Sequence, residues 1–433
     1  MNIAIIDADL IGRAKHRFPN LACMKLSAYH KNIGDNVQLI TDYKDLYYNE
    51  SLWIEYQSAL KQYSKKQTKK NEALLYNKMH PCFEEVNIKF DKIYISKVFT
   101  DTEVDTDLLQ LNIVEYGGTG FFYDKAPKLP DEIEHIKPDY DLYADWVSEQ
   151  LASGGKQKDF VYYLDYSIGF LTRGCFRGCS FCVNQNYKKC EPHSPVLEFM
   201  DESRPKLCFL DDNFFACPQW KELIVAVKAT GKRFQFKQGL DERLLTDEKI
   251  HELMSWDYDG DYIFAFDNIE DKPLIVSKLK RIRELYPTTK KHFKFYVLCG
   301  YDRNGKWDEG FWKQDITNTF DRIKTLAEYG ALPYIMRYEK CYTSNYDGIY
   351  TTLAAWCNQP SIFHKFSYRD YCRCKGMGDK NYAKYKRNFE AFLNEVGKKG
   401  SAWRYMEQLE NMCPDIAEQY FDFIPSELFN TTK

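Results

Sequence analysis

The sequence contains no long apolar segment. The N-terminal run Ile3–Ile6 covers only four residues before acidic residues appear. It is too short for the apolar core of a signal peptide and far too short to cross a bilayer. No other segment approaches the roughly eighteen apolar residues that a spanning helix needs. We therefore expect a cytoplasmic protein with no membrane partner.

The sequence also lacks an excess of charge of either sign. Its 60 Lys and Arg residues nearly balance 63 Asp and Glu residues, for a formal charge of −3. The lysines at 65, 66, 69 and 70 have no interleaved aromatic residues, which is typical of a solvated helix face rather than a nucleic-acid site. Internal repeats and low-complexity segments are absent as well. Composition therefore gives no reason to expect a nucleic-acid partner.

A chain of 433 residues with 44% apolar residues predicts a globular protein of two or three domains. Short apolar runs alternate with helical patterns, as in parallel α/β folds. We predict a Rossmann-like domain over 1–125, with a helical insertion over 47–80. A proline-rich linker over 126–159 precedes a partial or full (β/α) barrel over 160–345, and a small helical extension covers 346–433. Within these regions, strands are predicted at 2–7, 37–40, 93–96, 112–116, 160–164, 168–171, 206–210, 234–237, 262–266, 293–298 and 332–336.

Fourteen cysteines in a reducing compartment indicate core residues and metal ligands rather than disulfides. Three of them, Cys175, Cys179 and Cys182, have a CxxxCxxC spacing on one short segment after a strand-like run. Three thiolates on one loop suit three corners of an iron–sulfur cubane and leave the fourth iron open. Gly174 and Gly178 suit a loop that wraps around inorganic sulfur. Arg173 and Arg177 add positive charge, which favours the reduced cluster.

Two other interpretations of this loop stay open. Cys190 could complete a four-cysteine zinc site, although its eight-residue distance from Cys182 is unlike the usual paired spacing. Alternatively, the three cysteines are unligated core residues. A zinc-stabilised binding or adaptor protein is therefore an alternative of another functional class.

The CxxxCxxC segment, with Phe181 just before its last cysteine, resembles the radical-SAM superfamily. The resemblance implies a [4Fe–4S] cluster whose open iron binds S-adenosylmethionine, with Phe181 near the adenine. It also implies reductive cleavage to a 5′-deoxyadenosyl radical, which abstracts hydrogen from a substrate, and an external low-potential electron donor such as flavodoxin or ferredoxin. The substrate and the catalytic residues that act on it stay unassigned.

Later segments resemble the radical-SAM group that carries an N-terminal cobalamin-binding-type domain. The likeness extends over most of 1–345 and is strong only over 171–186. It implies cofactor-binding roles for residues at successive strand ends, where a turn, a helix N-cap or a surface ion pair is the competing interpretation. These residues are Asp211, Asp212, Asn213, Gln238, Asp241, Arg243 and Asp267, with Gly300 at a later strand end.

The sequence departs from this group where cobalamin would bind. GGTG at 117–120 fits a late loop of the cobalamin module, but the Asp-x-His-x-x-Gly signature has no counterpart, and His16, His30 and His80 stand in other contexts. Cobalamin, and with it a cobalamin-dependent methyltransferase, is thus a possible but disfavoured alternative. A second cluster is another alternative, and its available ligands are Cys341, Cys357, Cys372 and Cys374.

Overall fold

Parallel strands alternate with helices along the chain in the computed structural model, which describes residues 1–431. Two units are distinguished: 1–210 with 221–234, and 211–220 with the chain from 235 onward. The boundary between the units falls within the strand β9. From the N-terminus to this strand, the helices and strands are β1 (Asn2–Asp7), α1 (Ala8–Gly12), α2 (Leu21–Asn32), β2 (Asn36–Ile40), α3 (Ser51–Lys65), α4 (Lys69–Cys82), β3 (Lys92–Ser96), β4 (Val114–Gly117), α5 (Thr119–Phe122), α6 (Asp131–Glu134), α7 (Ala144–Ala152), α8 (Val161–Leu164), β5 (Tyr166–Gly169), β6 (Thr172–Arg173), β7 (Glu191–Pro192), α9 (Val196–Phe199), β8 (Lys206–Phe209), α10 (Trp220–Ala229) and β9 (Arg233–Phe236).

The first sheet is parallel and has the strand order β2-β1-β3-β4. Alternate residues of β1 enter two different cores, because successive side chains of a strand point to opposite faces. Ile3 and Ile5 pack with Met24 of α2, whereas Ala4 and Ile6 pack in the cluster on the other face. The four strands predicted for this region are confirmed, and the predicted helical insertion forms two helices, α3 and α4.

The segment predicted to be an extended linker is packed and partly helical. It contains α6 and α7, and Ile133 and Tyr140 are buried in the same cluster as Ile3. Tyr143 is buried too, and its hydroxyl donates to a carboxylate oxygen of Asp7 at 2.9 Å. Prolines and acids suggested an exposed segment, but its aliphatic and aromatic residues find apolar partners on the first sheet.

The second sheet of the first unit begins with β5, which pairs in parallel with β8, and the order continues to β9. The strand predicted at 160–164 is wrong, because these residues form the short helix α8. Phe160 and Tyr163 pack in the apolar cluster below the first sheet, and pairing with β8 starts only at Tyr166. The strands β6 and β7 form a short antiparallel pair.

The second unit contains a three-stranded parallel sheet followed by a helical region. Its sheet order is β10-β11-β12, and each strand is followed by a helix or turn. In β11 every second residue is buried. The elements are α11 (Asp247–Ser255), β10 (Tyr262–Ala265), α12 (Lys272–Leu285), β11 (Phe293–Cys299), α13 (Glu309–Glu328), β12 (Leu332–Arg337), α14 (Asp347–Cys357), α15 (Pro360–Phe363), α16 (Tyr368–Met377), α17 (Asp379–Tyr385), α18 (Phe389–Glu395), α19 (Ser401–Met412), α20 (Pro414–Tyr420) and α21 (Pro425–Thr431).

Helix α13 connects the strands β10 and β11 through a buried arginine. The side chain of Arg322 is 2% exposed, and its Nη1 donates to the carbonyl oxygens of Phe266, Asp267 and Leu298 at 2.8 to 2.9 Å. These carbonyls lie where β10 and β11 end. Among residues 1–431, none of the helices has both the length and the apolarity that a bilayer crossing requires.

Candidate functional site

The cysteine segment forms a loop that is closed at its base. Strands β6 and β7 pair there, with Thr172 opposite Pro192 and Arg173 opposite Glu191. Gly174 follows at a φ of 95°, and a Cβ atom on it would overlap the carbonyl oxygen of Lys189. Only glycine fits this position, since an L side chain meets both an unfavourable backbone conformation and an occupied space.

The three cysteines of the motif differ from most others in exposure. Cys175, Cys179 and Cys182 are partly exposed, whereas ten cysteines elsewhere in the chain are buried, including Cys190. The amide N–H of Asn184 donates to the Sγ of Cys182 at 3.4 Å. A hydrogen bond to sulfur stabilises an anionic thiolate and adjusts the potential of an iron–sulfur cluster. The loop therefore presents thiols that can ligate, with one sulfur already receiving a backbone donor.

The cysteine side chains are not gathered around one point. In the part of the chain from 1 to 431, no group of three or more Cys, His, Asp or Glu side chains is placed to hold a metal ion. A structural zinc site needs four such ligands around one ion, whereas a cubane offers a different iron to each thiolate. The burial of Cys190 also separates it from the three partly exposed cysteines.

A charged network anchors the base of the loop. Glu134 accepts hydrogen bonds from Lys25 at 2.7 Å and His193 at 3.0 Å, and Arg173 lies 4.0 Å away. Burial opposes the charge on Glu134, but these hydrogen bonds and the positive charges of Lys25 and Arg173 lower its pKa to about 2. Arg173 also stacks 3.5 Å from the ring centroid of Phe170. The guanidinium of Arg173 therefore interacts with Glu134 and does not act on the cysteines alone.

Polar residues of the second unit meet where the chain leaves β9. Arg243 donates from Nε to an oxygen of Asp241 at 2.7 Å and from Nη1 to Asp271 at 2.7 Å. Asn213 donates to the other oxygen of Asp241 at 3.3 Å. Side chains of Asp241 and Arg243 are only 6% and 15% exposed, so this is not an ordinary surface ion pair. The structure brings together three of the residues predicted to bind the cofactor.

A glycine in the loop after β9 allows the backbone of the loop after β8 to approach closely. Gly239 has a φ of 84°, and a Cβ atom there would overlap the carbonyl oxygen of Asp211. Asp211 is buried, Asp212 is half-buried, and Asn213 makes no side-chain hydrogen bond that caps the turn after it. The interpretation of 211–213 as a helix cap is therefore not supported.

Two more predicted residues follow the strands β9 and β10. Gln238 is exposed on its loop. Asp267 accepts from the amide N–H of Leu298 at 3.1 Å, and burial raises its pKa. Gly300 follows β11 at a φ of 75°, and a Cβ atom there would overlap the sulfur of Cys341, so close packing accounts for this glycine.

Glu242 lies between the predicted residues Asp241 and Arg243 but was not itself predicted as a site residue. Its side chain is 1% exposed, and within residues 1–431 neither carboxyl oxygen has a hydrogen-bond partner. Burial and the negative charge of Asp241 raise its pKa to about 8, against the opposing charge of Arg243 and the nearby N–H groups of Glu242 and Ala265. Adjacent acids in a sequence usually indicate a solvated turn, so the sequence carried no signal for this residue.

We expect Glu242→Gln to flatten the pH dependence of stability. The folded chain keeps a proton on Glu242 that the unfolded chain loses above a pKa near 4.5, so the free energy of unfolding falls as pH rises from about 4.5 to about 8. Glutamine does not ionise, and relative to wild type the variant should gain about 2 to 4 kcal/mol between pH 5 and pH 9. Urea unfolding across this range measures the difference.

The matched control for that measurement is Glu270→Gln. Glu270 is exposed and belongs to the same unit. Its variant should follow the wild-type pH curve. Parallel curves for wild type and Glu242→Gln would show that Glu242 ionises at an ordinary pH.

The cysteines proposed for a second cluster lie inside the helical region. Cys341, Cys357, Cys372 and Cys374 are all buried. Burial raises the pKa of Cys357, Cys372 and Cys374, which opposes the thiolate form that ligates metal. The structure thus gives no support for an auxiliary cluster at these residues.

Of the three histidines considered as cobalt ligands, His30 is held by hydrogen bonds. Both ring nitrogens of His30 are bonded, Nδ1 to Asp35 at 2.7 Å and Nε2 to the Tyr94 hydroxyl at 3.1 Å. His80 is exposed, and burial lowers the pKa of the half-buried His16. His30 therefore has no nitrogen left for a metal ion.

Comparison with solved structures finds similar chains, two of which are described here. No protein-family model and no curated protein matches the chain. One structure is the apo, selenomethionine-labelled cobalamin-dependent S-adenosylmethionine radical enzyme OxsB, at 11% identity and a TM-score of 0.33. The other is OxsB with aqua-cobalamin bound, at 12% identity and a TM-score of 0.31. Both are structures of the same enzyme.

The chain is shorter than these proteins. The alignments cover 95% and 94% of this chain but only 61% and 56% of the OxsB chains. TM-scores below 0.5 do not establish a common fold.

Proposed function

We propose that this chain is a radical-SAM enzyme that binds a [4Fe–4S] cluster through Cys175, Cys179 and Cys182. The observation that carries the proposal is a CxxxCxxC motif whose three thiols stay partly exposed on a closed loop. Gly174 at a position only glycine fits and the N–H donor on the sulfur of Cys182 support it. In each of the sheets β5-β8-β9 and β10-β11-β12, strands alternate with helices along the chain, as in α/β proteins.

The chain's own residues would hold the cluster and control its surroundings. When bound, such a cluster supplies the electron that cleaves S-adenosylmethionine to a 5′-deoxyadenosyl radical. The three cysteines would hold the cluster as thiolates and would therefore release their protons when it binds. The Asn184 amide stabilises the negative charge on the Cys182 sulfur. The partial exposure of the cysteines supports electron delivery by an external low-potential donor such as flavodoxin or ferredoxin.

In the second unit, we propose that polar residues bind the cosubstrate. The candidates in this unit are Asp211, Asp212, Asn213, Gln238, Asp241, Arg243 and Asp267. Arg243 is fixed by two carboxylates, so its guanidinium is oriented before any ligand arrives. An oriented guanidinium suits a carboxylate, and the acids suit an amino group and ribose hydroxyls.

The test is an assay for cluster and cleavage with protein purified without oxygen. After reconstitution with iron and sulfide, we expect about four irons per chain. Dithionite and S-adenosylmethionine should then yield 5′-deoxyadenosine. Zinc in place of iron, with no deoxyadenosine, would instead support the zinc-stabilised binding or adaptor protein. Corrinoid that stays with the purified protein would move the proposal to a cobalamin-dependent methyltransferase.

A further inference from the structure

A turn of the first domain lies on the cysteine loop. The hydroxyl of Tyr123 donates to the carbonyl oxygen of Phe181. The carboxylate of Asp124 accepts from the side-chain amides of Gln185 and Asn186, each at 2.9 Å. The Asn186 amide also reaches the backbone oxygen of Asp124 at 3.2 Å. Two consecutive residues thus make four hydrogen bonds to one stretch of the loop.

The turn that carries these residues is itself fixed to the end of β3. Gly118 has a φ of 103°, and a Cβ atom on it would overlap the carbonyl oxygen of Lys97. The amide of Gly120 donates to that same oxygen at 2.9 Å. Tyr123 then has a φ of 51° and a ψ of −115°, a backbone conformation that residues other than glycine seldom adopt. Such strain persists where the surroundings enforce it, and it is often connected with function.

We propose that Tyr123 and Asp124 are positioning residues for the cysteine loop, and that holding this loop is a function of the N-terminal domain. Their contacts fall on both sides of Cys182, at Phe181 and at Gln185. The amide of Cys182 is bonded to the carbonyl oxygen of Cys179 at 2.9 Å, so the order imposed on one cysteine extends to the next. This gives the domain a role that needs no ligand of its own.

The inference rests on the proposed function only for the identity of what the loop binds. Residues that orient metal ligands typically change metal affinity or activity 10- to 100-fold when they are replaced. Fixing the loop before the cluster is inserted reduces the ordering that insertion requires. Loss of the contacts should therefore loosen the empty loop and speed the release of iron from the loaded protein.

The first experiment measures hydrogen exchange on the whole chain without iron. In Tyr123→Phe/Asp124→Ala, the amides of 176–190 should exchange about tenfold faster than in wild type. This factor is the lower end of the effect that is typical of residues that orient metal ligands. Amides of β1 and β3 should keep their wild-type rates. Tyr123→Phe alone is the second, milder variant and should show a smaller change in the same amides. Wild-type exchange over 176–190 in both variants would overturn the proposal.

The matched control is Tyr116→Phe. Tyr116 is an exposed tyrosine of the same domain whose ring stacks on Phe122, with centroids 5.5 Å apart. Within 1–431 its hydroxyl makes no hydrogen bond to the cysteine loop. This variant removes the same atom from the same surface and should leave exchange over 176–190 unchanged.

The second experiment follows iron in the reconstituted protein. A chelator should remove iron from Tyr123→Phe/Asp124→Ala about 10 to 100 times faster than from wild type, and Tyr116→Phe should match wild type. Equal rates for all three would contradict the positioning role. If wild type binds no iron, the proposed function fails, and the hydrogen-exchange result still decides whether Tyr123 and Asp124 hold the loop.

Discussion

Replacement of Cys179 by alanine is expected to abolish formation of 5′-deoxyadenosine, while Cys190→Ala retains it. Cys179 is the central thiol of the motif and is partly exposed, whereas Cys190 is buried at the base of the loop. With two thiolates left, a cubane loses one of its three protein ligands, and we expect bound iron to fall several-fold. Iron analysis and chromatographic detection of deoxyadenosine after dithionite reduction measure both effects.

The same pair of variants separates the cluster from a zinc site. A four-cysteine zinc site that includes Cys190 would lose its metal in both variants, because a structural zinc ion needs all four ligands. A cluster on three cysteines predicts loss in Cys179→Ala alone. Circular dichroism should show wild-type helix content in both, because the cysteine loop contains little regular structure. Deoxyadenosine made at the wild-type rate by Cys179→Ala would refute the assignment of the motif.

Alanine at Gly174 should impair the loop far more than alanine at Gly178. Both glycines have positive φ, 95° and 58°, so both substitutions strain the backbone. At Gly174 the new Cβ atom also overlaps the carbonyl oxygen of Lys189, whereas at Gly178 its nearest neighbour is 4.0 Å away. We expect Gly174→Ala to lower the free energy of unfolding by about 2 to 4 kcal/mol and Gly178→Ala by about 1 kcal/mol.

Urea unfolding and iron content together check this pair. Gly174→Ala should lose most of its iron, since the two ends of the loop separate when Lys189 moves away. Gly178→Ala should keep most of it, because 58° lies in the left-handed region that non-glycine residues can adopt. Equal losses of stability and iron in the two variants would show that backbone conformation alone, and not the approach of Lys189, makes Gly174 necessary.

The cysteine loop could be predicted because its chemistry is local. Cys175, Cys179 and Cys182 lie within eight residues, so spacing alone limits the groups that they can bind. The strands of the three larger sheets were also predicted in the main, because buried parallel strands appear as short apolar runs. The region 160–164 was misassigned because its apolar residues are buried by the packing of a helix, which a short run does not distinguish from a strand.

Contacts that depend on tertiary structure were outside the reach of the sequence. Tyr123 and Asp124 lie about sixty residues before the loop they contact, and no local pattern connects them. Glu242 appears in the sequence as one of several acids, and only its burial identifies it. The linker over 126–159 was likewise predicted from composition, whereas its packing depends on aromatic residues meeting the first sheet.

The buried guanidinium of Arg322 has a consequence for ligand binding in the second unit. By joining the ends of β10 and β11, and with the amide of Leu298 held by Asp267, it removes independent motion of the two strand ends. If Asp267 contacts the cosubstrate as proposed, binding would order little of the protein, because this edge is already held in place. Helix α13 would then contribute to the affinity through Arg322.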